Sequence, residues 1–241
     1  MVQESLARKF HPAGFEQPED RKGYVKPRRE LQNAFYQWTE ELPKQICNWD
    51  DVEKEYRKAC KSIRPLGEIP YRETNSLLVG FKPESWAQRD VGLFASACYN
   101  QSPEPVIVFD LNGSEIDCIG YRLGKSKILV NHSQVGKSFG WRSLGIIINN
   151  GEAGSEFAED FSGISIALQE PEDYGISSGK FLKPDRINRI PDLKEYLEEF
   201  CDMTKSFKDD ELIKRFLERY GTEPKKRIEQ DIKRILGDRR I

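Results

Sequence analysis

Histidine is scarce in this chain of 241 residues, with only His11 and His132. A zinc site would have to be gathered from distant segments, because nothing here has the close Cys and His spacing such sites use. The five cysteines (Cys47, Cys60, Cys98, Cys118 and Cys201) are dispersed, with no C-x-x-C pair. That set argues against a disulfide framework and fits reduced thiols in the cytosol. No apolar run exceeds about four residues, where a membrane-spanning helix needs roughly 20. An excess of charge of one sign is missing as well: 38 Lys and Arg face 40 Asp and Glu, a net charge of −2. Attraction to nucleic acid or an anionic membrane would therefore need a local patch. The opening "MVQESLARKFHPAG" lacks the apolar stretch of a secretory signal, so the expected compartment is the cytoplasm, with no membrane association.

What the chain does contain changes along its length. Residues 1–30 are rich in proline, glycine and charge without a sustained period, and read as a flexible tail or arm. Its continuation "GYVKPRRELQNAFYQW" carries the aromatic and arginine side chains favoured where proteins dock. Residues 31–103 read as a helical cap. Val52, Tyr56, Ala59 and Ile63 recur at helical spacing after a possible Asn48 or Asp50 cap and before Pro65. "IPYRETNSLLVGF" (69–81) reads as a turn, a short strand and a turn. "ESWAQRDVGLFASACYN" reads as a largely buried helix carrying Trp86, Val91, Phe94 and Cys98. "EPVIVFDL" (104–111) is β-branched and opens a strand-rich region over 104–176. In the C-terminal region, 177–241, Leu212, Ile213, Phe216, Leu217 and Tyr220 form one helical stripe ended by Gly221. Ile228, Ile232 and Ile235 form a second stripe behind Thr222 and Pro224.

The centre repeats. At an offset of eighteen residues Gly136 meets Gly154, Phe139 meets Phe157, Gly140 meets Ala158, and Gly145 meets Gly163. Ile146 and Ile148 meet Ile164 and Ile166; in the other direction Tyr121 falls on Phe139, Ile128 on Ile146, Val130 on Ile148 and Asn131 on Asn149. A short fixed period means stacked units, each too small to bury a core alone. Every unit holds one β-branched strand with alternate residues pointing inward, and glycines where coils must turn or come close. Asn131 and Asn149 are placed to bond amide to amide between coils, with Ala167 ending the ladder. A left-handed helix of hexapeptides would need an aliphatic residue every six positions. Val135, Trp141, Ile147, Ala153, Glu159 and Ser165 do not supply one. The expected fold is α+β: a short right-handed parallel β-helix of about three to four coils, flanked and capped by N- and C-terminal helices.

"VGKSFGWRSLGIII" and "AGSEFAEDFSGISI" resemble the repeats of the GXGXG domain over about residues 113–170. That right-handed β-helix closes the large subunit of glutamate synthase and recurs in one of the chains of formylmethanofuran dehydrogenase. The resemblance implies a spacer and packing wall without catalytic residues. The residues the repeat singles out are structural: Gly136, Gly140, Gly145, Gly154, Gly163, Asn131 and Asn149.

Two Gly-Lys-Ser tripeptides invite a phosphate-loop reading, and spacing rejects it. In "NHSQVGKS" Asn131 stands where the first glycine belongs, and in "GYRLGKS" the first glycine is one residue too close. Glycine-spaced strand follows each copy, where a phosphate loop needs a helix. His132, beside Lys125, Lys127 and Arg142 in sequence, is a candidate general base, weighed against a solvated corner histidine. Glu152, Glu156, Glu159 and Asp160 form an acidic rim suited to a cation or to acid–base work, weighed against a solubilising surface. Asp110 follows a strand as phosphotransfer aspartates do, without their accompanying motifs. "EPKKRIEQDIKRILGDRRI" carries seven bases against four acids, enough to touch a phosphate backbone.

The functional expectation is a non-catalytic scaffold or protein-interaction module, an accessory subunit of a cytoplasmic assembly. It needs a protein partner or a second copy of itself, and no cofactor or metal. The alternatives are an RNA-binding protein using the basic C-terminal helix, and a small enzyme using His132 or the rim of Glu152, Glu156 and Glu159.

Overall fold

The computed structural model describes residues 25–40, 49–79, 88–109, 116–167, 169–177 and 180–182. The expected C-terminal helices, most of the N-terminal arm, Trp86 and Asp110 lie outside the described residues. Among the described residues, four α-helices precede a five-stranded parallel sheet: α1 (Arg29–Glu40), α2 (Trp49–Ile63), α3 (Tyr71–Leu78) and α4 (Gln88–Gln101). The strands β1 (Val106–Phe109), β2 (Ile128–Asn131), β3 (Ile146–Asn149), β4 (Ile164–Ala167) and β5 (Lys180–Leu182) pair strictly in chain order. A parallel strand order that follows the chain, with one circuit between neighbours, is a solenoid: a right-handed parallel β-helix of about three turns.

The register is the one the repeat specifies. Ile128 pairs with Ile146 and Ile146 with Ile164, one strand spacing of about 4.8 Å apart. The sheet also takes in β5, beyond the 104–176 span read from the sequence. All four residues of β2, β3 and β4 are buried, so both faces of the sheet are covered and the expected in–out alternation is not seen. Asn131 Nδ2 donates to Asn149 Oδ1 at 2.8 Å, and Asn149 Nδ2 donates onward to the carbonyl of Gln169 at 3.1 Å. The ladder thus outlasts Ala167 by using a backbone acceptor.

A second wall is built from turns. In each coil alternate residues adopt positive φ: Cys118, Gly120 and Arg122; Ser138, Gly140 and Arg142; Glu156, Ala158 and Asp160. Backbone bonds zip the coils together there, including Cys118 N–H to Lys137 O (2.8 Å), Gly140 N–H to Ile119 O (2.8 Å) and Ala158 N–H to Phe139 O (2.8 Å). This wall corrects one sequence alignment. Tyr121 does not lie on Phe139; its ring packs 4.8 Å from Trp141, and Phe139 stacks on Phe157 at 5.8 Å. The first coil carries two extra residues between Arg122 and Ile128, so its turn wall runs out of phase with its strand.

Gly145 and Gly163 are required by closeness, as both have negative φ. A Cβ on Gly145 would run into Lys127 O, and one on Gly163 into Gly145 O.

The helical cap closes the first coil. α1 buries Leu31, Phe35 and Trp38, and the rings of Phe35 and Trp38 meet Phe94 of α4 at 5.2 and 5.3 Å. Phe35 and Trp38 are therefore core residues and not the free docking side chains read from the sequence. α2 packs Val52, Tyr56, Ala59 and Ile63 inward, as its spacing predicts. The turn–strand–turn reading of 69–81 is overturned: Tyr71–Leu78 is helical, with Tyr71, Thr74 and Leu78 buried at helical spacing behind Pro70. α4 is buried on nearly every side and presents Gly92, Ser96 and Asn100, four residues apart, to the solenoid. The Ser96 hydroxyl accepts from Gly120 N–H (2.9 Å) and Tyr121 N–H (3.1 Å) and lies 2.7 Å from Gly92 O and 3.0 Å from Cys118 O. Asn100 Oδ1 accepts from Gly124 N–H at 2.7 Å, while its Nδ2 donates to Arg122 O and the Tyr56 hydroxyl. On the strand side, Asn75 Nδ2 donates to Val108 O at 2.7 Å, and Asn75 Oδ1 accepts from the Tyr99 hydroxyl at 2.6 Å. Side chains thus satisfy polar backbone that a solenoid end leaves open.

Candidate functional site

Each Gly-Lys-Ser loop already holds a side chain from the protein itself. Asp117, in the preceding coil, places Oδ1 where a Cβ of Gly136 would stand, and Lys137 N–H donates to that oxygen at 2.7 Å. A carboxylate of the chain takes the position an anion would need. At the other copy Gly124 N–H is spent on Asn100 Oδ1. Lys137 is exposed, and the residues after it form turns where a phosphate loop requires a helix.

His132 is half-buried at the corner after β2. Its N–H donates to Phe109 O at 2.9 Å, and Asn150 Nδ2 lies 3.1 Å from its Nδ1. With the amide donating, Nδ1 accepts and the neutral ring carries its proton on Nε2. Asn150 lies eighteen residues further on, so this pair is a second rung beside the Asn131–Asn149 ladder. The cations near His132 in sequence have other partners. Lys127 Nζ is drawn to the carbonyls of Ser102 and Glu104, and Arg142 pairs with Asp160 at 2.9 Å.

The acidic rim is partly assembled. Glu156, Glu159 and Asp160 share the turn wall of one coil, and Asp173 joins them, its Oδ1 accepting from Glu156 N–H. Ser138 Oγ donates to Glu156 Oε2 at 2.8 Å. Burial, then Glu156 and Asp160, raise the Glu159 carboxyl above its ordinary value, with Asp173 adding to the rise. Glu152 belongs to the preceding corner, where its carbonyl accepts from Val135 N–H and Asn131 Nδ2. Among the described residues, no group of three His, Cys, Asp or Glu side chains is placed to hold a metal ion. Cys98 and Cys118 are buried free thiols, and burial pushes both far up. They are poor nucleophiles, since the thiolate is the reactive form.

No family model matches the chain, and neither a curated protein nor a solved structure matches it significantly. Function must be argued from its own residues.

Sequence reasoning missed two features. One is the set of polar side chains that carry the junctions: Asp117, Ser96 and Asn100 fill backbone sites on neighbouring coils that no linear motif specifies. The other is a basic surface on α2. Lys54, Arg57, Lys58 and Lys61 line an open depression together with Glu53. Arg57 and Lys58 are paired on the helix itself, to Glu53 (2.8 Å) and Glu55 (2.8 Å). Their spacing of three and four residues is the signal that could have found this face. Among the described residues, no helix is long and apolar enough to cross a membrane.

Proposed function

We propose that this protein is a non-catalytic scaffold or interaction module, an accessory subunit of a cytoplasmic assembly, whose solenoid is a wall of the GXGXG type. One observation carries this reading. Three polar side chains that could do chemistry are used to hold coil to coil: Asp117 in the Gly136–Lys137 loop, His132 on Asn150, and Glu156 on Ser138. A rigid stack of coils, closed at its first coil by helices, offers a partner a surface that needs little ordering on binding.

Titration with ATP or GTP and magnesium tests the reading against its sharpest rival. The expected result is no saturable binding by the wild-type chain and no change on Lys137→Ala, which alters stability by no more than about 0.5 kcal/mol as an exposed turn residue. Micromolar binding that Lys137→Ala abolishes would replace the scaffold with a nucleotide-dependent enzyme. The positive arm is co-purification of a stoichiometric partner from the native source, or concentration-dependent self-association.

The C-terminal helix of the RNA-binding reading lies outside the described residues, and an RNA-binding reading that uses α2 instead has support in its basic face. Lys54, Arg57 and Lys61 are exposed on one side of that helix. It requires affinity for single-stranded RNA that falls steeply with salt and weakens on Lys54→Glu/Lys61→Glu.

A further inference from the structure

Among the described residues, two buried carboxyl groups lie in the helical cap, Glu55 on α2 and Asp90 on α4, and their surroundings differ. Glu55 is 3% exposed and accepts from Lys58 Nζ at 2.8 Å. Asp90 is fully buried in the first turn of α4, and neither of its carboxyl oxygens has a hydrogen-bond donor. Arg89 Nε stands 3.6 Å from Oδ1, an ion-pair distance too long for a hydrogen bond, and is itself a buried donor without an acceptor. Two residues on, Gly92 packs so tightly on the first coil that a Cβ there would overlap Asp117 O. Asp90 is thus an unsatisfied group at a close-packed junction. An ionised carboxylate in such a place is unfavourable, whereas the neutral acid is tolerated.

We propose that Asp90 is a proton-operated latch on the cap: protonated, it lets the first turn of α4 seat against α2 and the first coil, and ionised, it loosens that seat. Among the described residues, α2, α4 and the first coil each contribute a charged or titratable neighbour. These are Glu55 and Lys58 from α2, Arg89 on α4 itself, and Cys118 from the first coil, a thiol that burial keeps protonated. Burial pushes Asp90 up to about 6; Arg89 and Lys58 oppose the rise and Glu55 adds to it. An aspartate in an unfolded chain titrates near 3.9. With the folded value the higher one, the contribution to stability is complete below about pH 4 and is lost as pH rises through about 6.

Amide hydrogen exchange in the full chain reads the latch locally. After correction for the intrinsic pH dependence of exchange, protection of Gly92–Ala97 is compared with that of β2 and β3 between pH 5 and 7.5. We expect helix protection to fall about tenfold relative to the strands, and Asp90→Asn, neutral throughout, to remove the fall. A constant ratio in the wild-type chain, or the same fall in the variant, overturns the proposal. If Asp90→Asn does not fold, the carboxyl carbon shift of Asp90 in the wild-type chain decides. A midpoint near 6 supports the latch, and one at or below about 4.5 overturns it.

Discussion

On the turn wall seven residues other than glycine hold positive φ, among them Cys118, Arg122, Ser138 and Arg142. Left-handed backbone costs an L-residue roughly 1–2 kcal/mol. The coil-to-coil bonds of that wall and the buried rings of Phe139 and Phe157 over-determine the conformation. Gly120 and Gly140 are different, because large side chains lie over them. A Cβ on Gly140 would come within 3.0 Å of Ile147 Cγ1, and one on Gly120 within 2.6 Å of Leu129 Cδ2. One coil further on, Ala158 takes the glycine position, and Ser165 replaces the aliphatic residue in the strand. The small side chain makes room for the methyl. Gly140→Ala should therefore destabilise by about 1–3 kcal/mol, while Ala158→Gly stays within about 1 kcal/mol, as urea unfolding of the two variants can show. Asp90→Asn should raise stability at pH 7.5 by up to about 3 kcal/mol, a gain that vanishes below about pH 4, where the wild-type carboxyl is neutral folded or unfolded.

Among the elements, α4 does the joining. Ser96→Ala takes from Gly120 N–H the Ser96 acceptor and leaves Tyr121 N–H with only the Cys118 carbonyl, and should cost about 1–3 kcal/mol. Ser62→Ala is the control: its hydroxyl bonds the Ala59 carbonyl on its own helix, so its removal should change stability by no more than about 0.5 kcal/mol. Thermal or chemical unfolding of the pair separates a junction from an ordinary helical serine. The periodic elements were legible in the sequence. The isoleucine register, the asparagine rungs and the buried stripe of α2 each follow from a spacing. α3 was hidden because Tyr71, Thr74 and Leu78 make a stripe of mixed polarity behind a proline. The two extra residues of the first coil were hidden by chance, since two aromatic residues, Tyr121 and Phe139, coincide at the strand's period. The polar junctions could not be read at all. A serine or an aspartate becomes an acceptor for distant backbone only once the coils are stacked.

Across the whole molecule, stability is transmitted from neighbour to neighbour, as in any solenoid. β2, β3 and β4 are each paired on both sides, and β1 is covered by α3 through Asn75. Hydrogen exchange should accordingly be slowest in β2 and β3 and faster in the three-residue β5. Equal protection across all five strands would show a single cooperative unit instead.

The longer corner of the first coil sets how such a chain can change length. Asn100 bonds into that corner at Arg122 O and Gly124 N–H while Ser96 holds the turn before it, so the coil beneath the cap differs from those that follow. From β2 to β4 the coils share one eighteen-residue step along both walls, and β5 follows β4 after sixteen. A further copy of residues 136–153, spliced in after Ala153, would set each strand residue over its own counterpart and leave the capped end untouched. The protein is in this sense a ruler with a fixed zero, extendable by about 4.8 Å for every eighteen residues added.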